Sequence, residues 1–366
     1  MNIVFRVDAT PSIGGGHVGR CLTLASKLRD MGHYCLFVMR EHSDYLGRQV
    51  KYAGFPMVML PYTDGHIVES NSYESWVGAP WEDDANQTYQ VIVDYFINNI
   101  NWIIVDHYGL DARWERLFID RNIRVGVIDD LVNRPHCSEF VLDQTCGRTS
   151  LEYQSLVDDN TKLFVGEEYC LLREEFFLAR NEAIKKRKSF DKIRRILVNF
   201  GSTDPCGHTL NTLKGLSGIT FSQSVEVLVL IGSSCPFLQD IKQKIKDLPY
   251  RVTMHIDSNQ VANLITNSDI GIGAAGATTW ERCFLGLPTL LVKTAENQAD
   301  VINRVVSSGA ALGYFHSLED PVKLNSALNE LEKDYSKISD LALNMTIGDG
   351  VETLVSFFNE DGCDNE

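Results

Sequence analysis

The chain has 366 residues, more than one ordinary core of about 100 to 200 residues organises, so length alone argues for two domains. Its 44% hydrophobic and 23% charged residues exclude a disordered, collagen-like or membrane-embedded protein. Lys and Arg number 34 against 49 Asp and Glu, a formal charge of −15. Such a surface repels nucleic-acid backbones, and any phosphate-bearing ligand must be met locally, by helix N-termini and a few placed side chains.

The nine cysteines, at 21, 35, 137, 146, 170, 206, 235, 283 and 363, lie scattered in apolar segments with no CxxC pair and no metal-like cluster, which fits reduced thiols in the cytoplasm. The N-terminal apolar stretch ends at Asp8, too short for a secretory segment, and no stretch approaches the roughly 20 apolar residues of a membrane span. The expectation is a soluble cytoplasmic protein with no membrane or nucleic-acid partner, no metal and no cofactor.

In chain order, the apolar runs IVFRV (3–7), YCLFVM (34–39), NWIIVD (101–106) and IRVGVID (123–129) alternate with longer amphipathic stretches, the βαβ rhythm. Leu22, Ala25 and Leu28 fall at helical spacing, closed by Gly32. The rhythm stops around residues 180 to 192, where ARNEAIKKRKSFDKIRR reads as a helix end and linker. It restarts with ILVNFG (196–201), VEVLVLIG (225–232), RVTMHI (251–256), SDIGIG (268–273) and LPTLLV (287–292). The expected class is α/β. Residues 1–185 form one doubly wound Rossmann-like domain, 190–340 a second facing it across a cleft, and 341–366 a C-terminal helix and acidic tail. Such folds bind ligands at the carboxyl ends of their strands, so the residues just after strands matter most.

DATPSIGGGHVGR (8–20) follows the first strand. Gly14, Gly16 and Gly19 spell GxGxxG, with Glu41 as a possible ribose acid, but six residues including a proline separate the strand from the first glycine, which weakens the dinucleotide reading. The alternative is a loop in which the bare backbone of Gly15 and Gly16 approaches a ligand and His17 opens a helix, its ring kept neutral by the dipole and able to accept a proton. With Arg6 and Asp8 on the preceding strand end, His17 is the candidate catalytic base; otherwise it would merely bond a carbonyl.

Asp106, His107 and Tyr108 close the strand NWIIVD, Tyr108 reading equally as a rim aromatic. Asp129 and Asp130 follow the next strand and read as a solvated turn or cap rather than a glycosidase pair, because adjacent residues point apart. Gly201, Ser202 and Thr203, before a helix carrying Cys206 and Leu210, offer amides and hydroxyls to phosphate, with Ser202, Thr203 or Asp204 also free to act as a plain cap. SDIGIGAAGATTWERCFLGLP (268–288) is a strand, a small-residue loop and a helix.

FRVDATPSIGGGHVGRCLTLA, IIVDHYGL, the pair Asp129–Asp130, YCLLREEF (169–176), NFGSTDP (199–205) and ENQ (296–298), in that order, resemble the PseG-type nucleotide-sugar hydrolases, which act on UDP-2,4-diacetamido-2,4,6-trideoxy-β-L-altropyranose in pseudaminic acid biosynthesis. The resemblance runs from residue 3 to about 310, with a longer segment at 62–98 and a C-terminal extension as departures. The 268–288 segment is similar to the nucleotide-binding signature of the GT-B glycosyltransferases related to MurG. These resemblances imply a GT-B fold and an inverting, UDP-releasing hydrolysis with a UDP-activated diacetamido sugar as partner. They imply sugar contacts from Arg6, Asp8, Gly15, Gly16, Tyr108, Asn297 and Gln298. Diphosphate falls to Gly201, Ser202, Thr203, Gly276, Ala277 and Thr278, ribose to Glu281, and uracil to the main chain of Ile256. A UDP-sugar transferase in which His17 deprotonates an acceptor, a 2-epimerase and a non-catalytic binder stand as alternatives.

Overall fold

Runs that stay apolar through every residue suit a parallel sheet buried on both faces. The computed structural model describes residues 1–42, 47–63, 72–97 and 99–363, with the backbone alone for 360–363. It divides into two units, Met1–Leu171 with Gly348–Glu366, and Leu172–Ile347. Of the expected acidic tail, 364–366 lie outside the described residues, as do 64–71 and 98 of the long segment at 62–98.

In the first unit seven parallel strands are β1 (Asn2–Val7), β2 (Tyr34–Arg40), β3 (Met57–Leu60), β4 (Trp102–Asp106), β5 (Arg124–Ile128), β6 (Phe140–Asp143) and β7 (Lys162–Val165), in the order β3-β2-β1-β4-β5-β6-β7. Alternate residues of β1 serve the two faces. Ile3, Phe5 and Val7 join the core beneath the Gly16–Asp30 helix, and Val4 joins Leu36, Ile103 and Trp114 on the other face. That helix stops where Gly32, at φ +86°, turns left-handed and gives its N–H to Arg29 at 2.9 Å. The Gly350–Cys363 helix belongs to this unit, with Phe358 against Trp102 at 4.9 Å between ring centres.

The second unit has six parallel strands, β8 (Arg195–Asn199), β9 (Glu226–Ile231), β10 (Arg251–Ile256), β11 (Ile270–Ala274), β12 (Thr289–Val292) and β13 (Leu312–Tyr314), in the order β10-β9-β8-β11-β12-β13, that of the classic dinucleotide-binding fold. Of the stretch expected as a helix end and linker, residues up to Lys188 are the end of a helix, Glu174–Lys188, and 189–194 lead from it into β8, all inside this unit. Its basic residues complement the helix's carboxyl end. Two of its arginines bind carbonyls at or near the ends of neighbouring helices. Arg180 gives hydrogen bonds to Phe284 and Leu343, and the buried Arg187 to Ile265 at 2.8 Å and Leu285 at 3.2 Å. The domain boundary therefore falls at Leu171/Leu172, ahead of the expected 185–190.

Candidate active site

In the first unit the strand order reverses between β1 and β4, the position at which doubly wound sheets hold ligands. The loop leaving β1 folds on itself, Gly14 at φ +81° giving its N–H to Thr10 at 2.7 Å, and delivers Gly15 as the cap and Gly16 as the first residue of the helix. Gly19 lies inside that helix, its amide bonded to Gly15 at 3.0 Å, so the GxGxxG pattern does not build a Rossmann turn here.

His17, 7% exposed, therefore stands over the end of β4, and its Nδ1 lies 2.6 Å from Oδ1 of the buried Asp106. One helical turn on, Arg20 reaches both oxygens of Asp106, at 2.6 and 2.7 Å, and Oδ2 of Asp130 at 2.9 Å. Burial alone would raise the Asp106 carboxyl; Arg20 and then His17 outweigh it and hold the group well below the usual carboxylate range. An ionised Asp106 accepts a hydrogen bond from Nδ1–H, and Nε2 is then the nitrogen with a lone pair. The Tyr108 hydroxyl donates to Oδ1 of Asp130, and its ring meets the His17 ring edge-on at 4.5 Å. The circuit His17–Asp106–Arg20–Asp130–Tyr108 thus closes on itself. Arg20 and Asp130 were not expected from sequence; the i, i+3 spacing of His17 and Arg20 is the signal that could have found Arg20.

The structure places Arg6 and Asp8 beneath this circuit, not at its surface. Arg6 forks onto Asp84 at 2.7 and 3.1 Å and pairs with Asp8 at 2.8 Å. Asp8 also accepts the Arg40 amide at 2.6 Å and faces His107 Nε2 at 3.3 Å. Burial opposes both charges, but the pairing prevails: the Asp8 carboxyl lies well below its usual range and the Arg6 guanidinium above its own. Both are buried and paired with other charges of the fold. Asp129 is not a solvated turn either. It is buried, paired with Arg134 at 2.6 Å, and accepts the amides of Leu131 and Val132 at 3.2 Å.

In the second unit the loops after β8 and β11 occupy the corresponding reversal. Gly201 takes φ +92°, Ser202 is half-buried and Thr203 buried. The N-cap of the His208–Ser217 helix is Gly207, and Asp204, from the turn before it that holds Cys206, accepts the His208 and Thr209 amides at 2.9 and 2.7 Å. Gly276 opens onto free space, and Ala277 and Thr278, both half-buried, begin the Thr278–Phe284 helix. Three residues on, Glu281 binds Arg173 through Oε1 at 3.1 Å while Oε2 is buried with no hydrogen-bond partner. Burial raises this carboxyl, and Arg173 only partly opposes it.

Ile256, 37% exposed, ends the edge strand β10. Because the Asp257 amide bonds to Ile231 at 3.0 Å, the alternation of a parallel strand turns the N–H and C=O of Ile256 to the open edge. Asn297 and Gln298 sit in a short turn before the Ala299–Ser307 helix, and the Gln298 side-chain Oε1 accepts from both amide and hydroxyl of Thr294, at 3.0 and 2.9 Å. Among the described residues no group of three His, Cys, Asp or Glu is placed to hold a metal, and no helix is long and apolar enough to cross a membrane.

Residues 181–348 match the glycosyltransferase family 28 C-terminal domain. Among curated proteins the chain is 22% identical over 315 residues, 86% of its length and 99% of the relative's, to the UDP-2,4-diacetamido-2,4,6-trideoxy-beta-L-altropyranose hydrolase of Campylobacter jejuni. Among solved structures it superposes on MurG of Acinetobacter baumannii with a TM-score of 0.67 at 14% identity, covering 98% of this chain and 99% of that one. A UDP-GlcNAc 2-epimerase from Neisseria meningitidis, bound to UDP-GlcNAc, gives 0.60 at 12% identity, covering 98% and 100%. The chain is thus similar over most of its length to the altropyranose hydrolase, and its two Rossmann-like halves have the fold of the GT-B glycosyltransferases.

Proposed function

We propose that this chain is a nucleotide-sugar hydrolase that cleaves the anomeric C–O bond of UDP-2,4-diacetamido-2,4,6-trideoxy-β-L-altropyranose, releasing UDP and the free sugar with inversion, as a cytoplasmic step of pseudaminic acid biosynthesis. The observation that carries the proposal is the His17–Asp106 pair at the strand reversal. Asp106 accepts a hydrogen bond from Nδ1–H and Arg20 keeps Asp106 ionised, so Nε2 is the atom that accepts a proton from water. The water oxygen bonds to C1 on the face opposite UDP, the C1–O bond breaks, its electron pair leaves on the diphosphate oxygen, and the water proton passes to Nε2. UDP is a good leaving group once its charge is met, so a second carboxylic acid is not needed.

In this reading Gly15 and Gly16 present bare backbone to the sugar, as Asn297 does its amide. The loops at 201–203 and 276–278 meet the diphosphate, and the main-chain groups of Ile256 meet uracil. The unpartnered Oε2 of Glu281 accepts from a ribose hydroxyl. Similarity to the Campylobacter jejuni hydrolase supports the choice of sugar. A proton NMR time course with the UDP-sugar alone tests it. UDP and a single first-formed, inverted anomer are expected, and absence of UDP release without an added acceptor refutes hydrolysis. A glycosyltransferase, with an acceptor hydroxyl in place of water, is the second reading, favoured by the match to a glycosyltransferase family 28 domain. It predicts UDP release only when acceptor is present.

A further inference from the structure

Tyr108 resembles a sugar-contacting residue in sequence, yet its ring is only 5% exposed. Every side of it is occupied. One edge meets His17, the hydroxyl is bonded to Asp130, the Arg134 guanidinium lies 5.9 Å from the ring centre, Trp76 stacks on it at 5.6 Å and 30°, and Tyr73 meets it at 5.3 Å. Tyr73 and Trp76 come from the segment 62–98, which departs from the resemblance. Both are half-buried, and they meet each other at 4.9 Å.

Their turn, Tyr73–Val77, is a docked element. Ser72 caps it, accepting the Glu74 amide at 3.2 Å, and Gly78, at φ +70°, closes it and accepts the Thr63 amide at 3.1 Å. It lies so close to the loop after β4 that a Cβ on Gly109 would fall 2.4 Å from the Tyr73 carbonyl oxygen and 2.7 Å from Val77. Gly109 directly follows Tyr108, so the turn is fastened beside the His17 circuit.

We propose that Tyr73 and Trp76 form the apolar wall of the sugar site and set its specificity, selecting a hexose that carries N-acetyl groups and a C6 methyl over one that carries hydroxyls there; this rests on the hydrolase reading above. The polar groups nearest the wall are already bound to one another: the Tyr108 hydroxyl to Asp130, Asp130 to Arg20, and Arg20 to Asp106. A sugar hydroxyl set against a ring face gives up water and finds no partner in that face, and an unpaired polar group is what a site rejects most strongly. Acetyl and deoxy methyl groups lose nothing against an aromatic ring and gain its contact area.

The test measures kcat/KM for the UDP-2,4-diacetamido-2,4,6-trideoxy sugar, and the inhibition constants of UDP-glucose and UDP, in the wild type, Trp76→Ala and Trp76→Phe. Trp76→Ala is expected to lower kcat/KM by about 10- to 100-fold, chiefly through KM, with both inhibition constants held within about threefold; Trp76→Phe recovers most of the loss. An unchanged kcat/KM, or an equal loss of all three affinities, overturns the wall. Saturation-transfer NMR on the acetamido methyl protons of the free diacetamido sugar, with UDP present, reads the wall without turnover, and the signal should collapse in Trp76→Ala. If the wild type releases no UDP but its methyl signal collapses in Trp76→Ala, the hydrolase reading fails and the wall stands. If it releases UDP and Trp76→Ala alters neither KM nor the methyl signal, the wall fails and the hydrolase stands.

Discussion

Replacing Asp106 by Asn tests the reasoning at its most exposed point, because the substitution changes charge and donor pattern but hardly changes volume. Asp106 accepts two bonds from Arg20 and one from His17, all between 2.6 and 2.7 Å. An asparagine has a single carbonyl to divide between them. If its NH2 faces Arg20, two donors oppose each other; if it faces His17, Nδ1 becomes the acceptor and the proton moves to Nε2, which abolishes the base. Removing one partner of a buried pair costs about 3–5 kcal/mol. Asp130 still holds Arg20 at 2.9 Å, so the lower end applies. For a unit of this size about 3 kcal/mol lowers Tm by roughly 6–12 °C. In a UDP-release assay kcat should fall by about two to four orders of magnitude with KM nearly unchanged, and nitrogen-15 NMR of His17 should show the Nδ1–H form lost. The depressed Asp106 carboxyl also stabilises the fold above its unfolded pKa of about 3.9, a contribution lost as pH falls through the lower folded value, so the variant should unfold less steeply in acid. A folded Asp106→Asn protein that keeps kcat within about tenfold of wild type refutes the tautomer argument.

His17→Asn should bind the UDP-sugar almost normally and turn over about two to four orders of magnitude more slowly; near-normal kcat would leave His17 a loop-structuring residue. Glu281→Ala should weaken UDP by about 1.5–3 kcal/mol in calorimetry, and 2′-deoxy-UDP should lose less in the variant than in the wild type; additive losses would remove Glu281 from the ribose site. His136 supplies a pH test of the first unit. Burial alone would lower it, but Glu115 at 2.7 Å and Asp129 push it up to about 9. A raised folded pKa stabilises fully below the unfolded value near 6.5 and is lost as pH rises through 9, about 3 kcal/mol in all. Chemical denaturation of the wild type should show that decline between pH 6.5 and 9, and His136→Gln should flatten it.

The two sheets were legible because a parallel strand buried on both faces is apolar through most of its length, and β1, β4, β8 and β11 all announce themselves that way, Arg6 of β1 being the exception inside a run. Where the chain divides was not legible. A helix whose C-terminal third reads KKRK resembles a solvated linker until its neighbours are known, and the reason for Arg180 and Arg187 is a set of carbonyls about 80 to 160 residues distant in the sequence. The C-terminal helix was expected, but its place was not, since the contact of Phe358 with Trp102 joins residues from opposite ends of the chain.

The site was legible in its pieces and not in their pairing. Three glycines before His17 and a strand ending in Asp106 each stand out alone, but their 2.6 Å contact depends on β1 lying beside β4, and periodicity does not give strand order. The same limit explains why Arg6 and Asp8 looked like ligand contacts. Arg6 lies within β1, where a charge is buried whatever its purpose, and a buried charge must be paired. Its partner Asp84 arrives on the Trp81–Phe96 helix, in the segment whose role sequence left open. Asp84 also binds Arg40 at 2.7 Å and the Trp114 indole at 3.0 Å, so Arg6 and Arg40 are balanced by Asp8 and Asp84 within the fold. A charged residue inside a central strand is therefore first evidence for a partner elsewhere in the chain, and Asp8 and Asp129, just past β1 and β5, are paired in the same way; Asp106, which ends β4, and Asp130 instead hold Arg20 beside His17 and Tyr108. The same segment thus contributes twice, Asp84 neutralising Arg6 and Arg40 and Trp76 supplying the ring proposed above to face the sugar.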